Sequence, residues 1–270
     1  MYFLFIVFLL FVNWGIESWK WQLLVADTEK VSYSTAFCSV MAGICVGNLT
    51  PGRAGEFIGK IFFFSKGVRS RITVLHFING LTQLIITSLG GVLAWVLLYG
   101  SQSVQSSFQL IIFFTATVFS FVLVFSYFKI DWLIQKIATV KMLKGFNLSE
   151  LNINRRVLNK LLLLSIIRYS VFCYQYVSLL VVLGIETPFQ QLILPVMLSF
   201  LLTSAIPMIS FIEAAIRSAI ALLVFEGATN NDVILVLAAT MIWVINIVIP
   251  SAIGYVLLLR KKFDWGKENA

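Results

Sequence analysis

Pro51-Gly-Arg-Ala-Gly-Glu56-Phe-Ile-Gly-Lys60 interrupts one apolar run, and Pro207-Met-Ile-Ser-Phe-Ile-Glu213-Ala-Ala-Ile-Arg217 interrupts a second. Both read proline, then a glutamate five or six residues on, then a cation four residues later. Proline removes a backbone donor and stops the incoming helix. A new helix then starts, with its unpaired N–H groups and positive dipole end toward the break. An early glutamate complements that end and lies one turn from Lys60 or Arg217, the favourable i,i+4 order for an ion pair. Gly52, Gly55 and Gly59 let the backbone and a neighbour approach closely. Pro51, Gly52, Gly55 and Pro207 are therefore read as structural breaks.

Outward from these breaks the chain is apolar almost throughout. Of 270 residues, 60% are hydrophobic and 12% charged, and the mean hydropathy is +0.95. Soluble domains run at about 45–50% apolar and about 25% charged. This excludes a water-soluble globular enzyme, a disordered tail and a disulfide scaffold. A span needs about 20 apolar residues. Met1–Gly15 is slightly short for one, and Glu17-Ser-Trp-Lys-Trp after it reads as interfacial, with Trp14, Trp19 and Trp21 as an aromatic belt. Tyr33–Leu49 and Phe57–Ser65 form the first broken pair, followed by spans at Ile72–Tyr99 and Phe108–Phe128. Lys129–Lys160 is a basic, partly amphipathic connector, expected as cytoplasmic interfacial helices on anionic lipid. Leu161–Leu183 is a full span, Leu192–Ile206 and Met208–Phe225 form the second broken pair, and Val233–Leu259 is the last span.

The net charge of +8 would suggest nucleic acid in a soluble protein. Here the cations lie in connections, as the positive-inside rule demands. Lys60, Lys66, Arg69 and Arg71 form one group, Lys129 to Lys160 a second, and Arg260, Lys261 and Lys262 a third. With these inside, Met1–Gly15 runs inward and Val233–Leu259 returns to the cytoplasm. The first broken pair opens on the inside and the second on the outside. The expected fold is an all-α polytopic membrane bundle in one domain, 1–270. Its halves, about 1–99 and 161–259, are inverted repeats, each with a broken or re-entrant helix pair. They are joined by span 108–128 and connector 129–160. Paired, interrupted short segments of this kind mark the binding site of inverted-repeat transporters.

An ionisable residue at membrane depth costs about 2.5–3.5 kcal/mol on insertion scales and is a functional candidate by default. Glu56 and Glu213 sit at matched positions, which strengthens the case. The plainer reading is that Glu56–Lys60 and Glu213–Arg217 neutralise each other and cap helices.

The stretch Gly47-Asn-Leu-Thr-Pro-Gly-Arg-Ala-Gly-Glu56, with Trp19-Lys-Trp21 before it, resembles the lysylphosphatidylglycerol synthase transmembrane-region family, also called flippase-like integral membrane proteins. Pro51, Gly52, Arg53, Gly55 and Glu56 match its first element. Pro207 and Glu213 match a second, in which Met208 to Ile212 replace the family's glycines. The resemblance spans essentially the whole chain. It implies movement of a lipid, or a lipid-linked intermediate, between leaflets of the plasma or inner membrane. It also implies one more hydrophobic span before Met1. This sequence has no room for the soluble aminoacyl-transferase domain that some members carry, so no enzyme activity and no cofactor are expected. In this reading Arg53 and Arg217 attract an anionic headgroup, with Glu56 and Glu213 positioning the cations or titrating if a proton couples transport. The alternative is a non-transporting membrane partner of a glycosyltransferase or lipid-modifying enzyme.

Four further features stand beside these. Arg168 lies two turns inside its span, either snorkelling to the surface or contacting phosphate in a translocation path. His76, the only histidine, reads as a packing residue with Asn79 and Gln83 on its face. Trp243, Asn246 and Pro250 either line a cavity or kink the last span. Cys38, Cys45 and Cys173 have no metal spacing and read as reduced, packed thiols. No catalytic array, metal cluster or nucleic-acid motif is visible.

Overall fold

The computed structural model describes residues 2–100, 107–138, 151, 153–206, 210–226, 228–229 and 231–268. Among these there is no strand. The helices are α1 (Tyr2–Val25), α2 (Tyr33–Asn48), α3 (Glu56–Ile61), α4 (Arg69–Tyr99), α5 (Ser107–Phe128), α6 (Ile130–Ala138), α7 (Arg155–Val182), α8 (Phe189–Ala205), α9 (Ser210–Val224), α10 (Asp232–Trp243) and α11 (Ile249–Glu268). Five stretches among the described residues are long and apolar enough to cross a membrane: α1, α4, α5, α7 and the continuous α10–α11. The protein is a multi-pass membrane helix bundle.

Local signals set several helix starts. Ser32, Asn154 and Asn231 each accept a backbone N–H from the first turn of α2, α7 and α10, which satisfies a donor that has no partner inside the helix. Gly59 sits directly on Ala42, where any side chain would overlap the Ala42 backbone, so α3 lies flat on α2. Six residues of helix rise about 9 Å against a hydrocarbon core of about 30 Å. The α3 arm therefore does not cross.

The interhelical contacts come in matched sets. Helix α2 packs on α11, α4 on α8, and α1 on α7. At the first contact Gly254 meets the backbone of Met41 and the Cβ of Cys45; at the second Gly91 meets Leu201. At Gly254 the two helices approach backbone to backbone, and at Gly91 the Leu201 side chain fills the space a side chain would take, as small residues allow in membranes. Helix α5 leans on α4, with Trp95 and Phe113 rings stacked at 6.1 Å. Its Phe114, Phe121 and Phe125 are exposed, as lipid-facing side chains should be. Of the basic connector, α6 turns Ile130 and Ile134 inward, and Arg155 of α7 pairs with Asp131 at 2.7 Å. The rest, 139–150 and 152, lies outside the described residues, as does Pro207.

Two expectations need correction. The first span does not stop at Gly15 but continues as one 24-residue helix to Val25. The aromatic belt does not form either: Trp14 and Trp21 are buried and only Trp19 is exposed, while Glu17 and Lys20 are buried with them. The physical reason lies in partners distant in sequence, described below, which make a charged stretch tenable inside the bundle.

A cationic cavity between two broken helix pairs

The first break is built around Thr50. Its hydroxyl donates to the Gly47 carbonyl at 3.0 Å and accepts the Gly55 N–H at 2.7 Å, closing the turn that leads into α3. Gly52 (φ 58°) and Arg53 (φ 57°) then both adopt left-handed backbone. For a residue with a Cβ this costs about 1–2 kcal/mol. The conformation aims the Arg53 guanidinium at the second break, where its Nη2 donates to Glu213 Oε1 at 3.4 Å.

Glu213, in the first turn of α9, is shared. Arg217, one turn on, donates to the same oxygen from Nη2 at 2.7 Å and from Nε at 3.1 Å. One carboxylate thus holds cations from both breaks, with Arg53 reaching it across 160 residues of sequence.

These groups face a cavity of about 480 Å³. Arg168 closes another wall. It is buried, so it does not snorkel. Its Nε donates to Asn13 at 2.8 Å and its Nη1 to Gln83 at 3.3 Å. Its guanidinium lies 4.9 Å from the Trp14 ring centroid and 5.1 Å from that of Phe172, within cation–π range. Behind it stands Glu17, 3.1 Å from Nη1. Among the described lining residues there are three guanidinium groups and one carboxylate. The cavity is electropositive and walled on one side by aromatic rings.

Asn246 also lines it, from a π-helical turn, Val244–Val248, that joins α10 to α11. Pro250 explains the turn: it lacks the N–H that would reach the Asn246 carbonyl, so the regular ladder cannot continue. The Asn246 amide donates to Gln175 at 2.9 Å, and Gln175 donates in turn to the Ile6 carbonyl at 2.9 Å. Cavity lining and distortion of the last span are thus one feature.

Arg53, Glu213, Arg217 and Arg168 are brought together; Glu56 and Lys60 are not among them. Glu56 pairs with Lys60 at 3.0 Å, and buried Lys60 also meets His76 Nδ1 at 3.2 Å and lies 4.7 Å from the Trp21 ring centroid. The two matched ion pairs both exist, but one faces the cavity and the other faces α1 and α4. Glu17 and Lys20, assigned to an interface from sequence, instead lie in the core, with Lys20 3.5 Å from Glu17 and Asn79 donating to Glu17 at 2.6 Å. A helical stripe of Asn13, Glu17 and Lys20 is the sequence signal that could have found them. Among the described residues no group of histidine, cysteine or carboxylate side chains could hold a metal, and all three cysteines are free.

No curated protein and no solved structure matches the chain. The family described as the lysylphosphatidylglycerol synthase TM region does match, over residues 1–256. With five apolar spans among its described residues, the chain belongs to that lipid-related membrane family.

Proposed function

We propose that the protein moves a lipid with an anionic, phosphate-bearing headgroup between leaflets, using the cavity between the two breaks. The observation that carries this is the convergence of Arg53 and Arg217 on the single carboxylate of Glu213 at the cavity wall. A phosphate competes for the same two guanidiniums, which suit it by shape and charge. When it enters, the strut between the Arg53 loop and α9 is released, which couples occupancy to movement of the breaks. The cavity volume suits a headgroup, while the acyl chains stay in lipid. The matched contacts of α2 with α11 and α4 with α8 support an inverted-repeat architecture for this motion. The basic connections favour a cell membrane location with the C-terminus inside.

The test is leaflet exchange of a fluorescent phosphatidylglycerol in proteoliposomes. Wild type should exchange it. Arg217→Gln and Arg53→Gln should each slow exchange about tenfold or more, since a hydrogen bond to a charged group is worth about 1.5–3 kcal/mol. Wild type no faster than empty vesicles, with stable co-purification of a glycosyltransferase or lipid-modifying enzyme, would establish the partner role instead.

A further inference from the structure

A second ionisable cluster lies outside the cavity lining. Lys60 is buried, its stem lying in space that a side chain at Gly43 would occupy. Its backbone carbonyl accepts the Ser39 hydroxyl at 3.2 Å, and Ser39 in turn accepts the Trp21 indole N–H at 3.1 Å. Both ends of the residue are thus fixed. The ammonium reaches Glu56 at 3.0 Å and His76 Nδ1 at 3.2 Å. Where a Lys60 ammonium donates to Nδ1, that nitrogen carries a lone pair and His76 is neutral with its proton on Nε2. A proton added at Nδ1 would point at the ammonium. Lys60 must then withdraw to Glu56 alone.

We propose that Glu56, Lys60 and His76 form a proton-binding site whose occupancy sets the position of the Arg53 loop, linking proton uptake to opening of the cavity. The mechanical link is short: Arg53, Glu56 and Lys60 lie on one turn and one six-residue helix. Displacing the Lys60 side chain shifts the same element that holds Arg53 against Glu213. In the step itself an N–H bond forms at His76 Nδ1 and an O–H bond of a hydronium ion breaks. Lys60 keeps its three protons, and the proton leaves to water when the cavity closes. Glu56 is the entry point, with 21% of its side chain exposed. The other charged groups acting on the cluster are Glu17 and Lys20 from α1 and Arg53 from the loop, with Arg168 of α7 behind Glu17. Helix α2 offers no charged side chain, and Lys261 of α11 lies beyond Phe63, 5.8 Å from that ring.

Because His76 is the only histidine in the chain, selective isotope labelling of histidine gives one imidazole signal in nanodiscs. As the pH is lowered from about 8 that signal should titrate in a single step, and Lys60→Met or Glu56→Gln should displace the step. A signal invariant with pH, or unmoved by both substitutions, overturns the site. The coupling rests on the translocation reading above and is measured separately, by phosphatidylglycerol exchange in phosphatidylcholine vesicles with and without a pH gradient. A gradient of about one unit should change the wild-type rate roughly threefold or more. His76→Gln should exchange without a gradient and ignore one. Wild-type exchange indifferent to the gradient overturns the coupling. No exchange in any sample refutes translocation, leaving the titration to decide the site.

Discussion

Glu17→Gln removes the charge that makes the core of α1 tenable. The carboxylate stands 3.1 Å from Arg168 and 3.5 Å from Lys20, and accepts from Asn79 at 2.6 Å. Arg168 has other acceptors in Asn13 and Gln83. Lys20 is fully buried, and among the described residues Glu17 is its one ion-pair partner. The cost is therefore that of a stranded buried ammonium, about 3–5 kcal/mol. At about 2–4 °C per kcal/mol for a chain of this size, the unfolding midpoint should fall on the order of 6–20 °C. Lys20→Met alone leaves Glu17 with Arg168 and Asn79 and should cost less, within the ordinary range of about 0.5–3 kcal/mol. In the double variant the stranded charge is gone, and about 2 kcal/mol should return. The assay is the folded, monodisperse fraction after heating in detergent, for all four proteins side by side. A Glu17→Gln midpoint equal to wild type, or a double variant no better than Glu17→Gln, would refute the reasoning.

Gly91→Val and Gly254→Val should each drive α4 off α8 or α11 off α2, because a side chain at either position overlaps its neighbour. A yield of folded protein near wild type for either variant would show that the helices do not meet as described. Pro250→Ala restores a backbone donor and should stabilise the last span by up to about 3 kcal/mol. It should also turn Asn246 away from Gln175 and slow lipid exchange; a destabilised variant with unchanged exchange would contradict this.

Legibility from sequence followed the range of the interactions. The first break was readable because proline and glycine act on their own backbone, and so were the i,i+4 pairs Glu56–Lys60 and Glu213–Arg217, which form as spaced. What those pairs face was not readable, since His76 and Trp21 on one side and Arg53 on the other arrive from distant segments. Glu17 and Lys20 were misplaced for the same reason: a charged, tryptophan-rich stretch after a short apolar run has the composition of an interface. Partners distant in sequence make it a core: Arg168, 155 positions from Asn13, and Asn79, 62 positions from Glu17. The π-helical turn before Pro250 was half legible, as a local distortion whose tertiary use by Asn246 was not.

The pairing of α1 with α7 bears on how the chain is made. Synthesis proceeds from the N-terminus, so α1 enters the bilayer long before Arg168 exists. During that wait Glu17 and Lys20, three residues apart on one helix face, can neutralise each other, which lowers the cost of holding two ionised groups in lipid. The pair persists in the folded bundle, where Asn79 of α4 and Arg168 of α7 join it. Since α2 acquires its α11 partner later still, the bundle cannot close until α11 has been made.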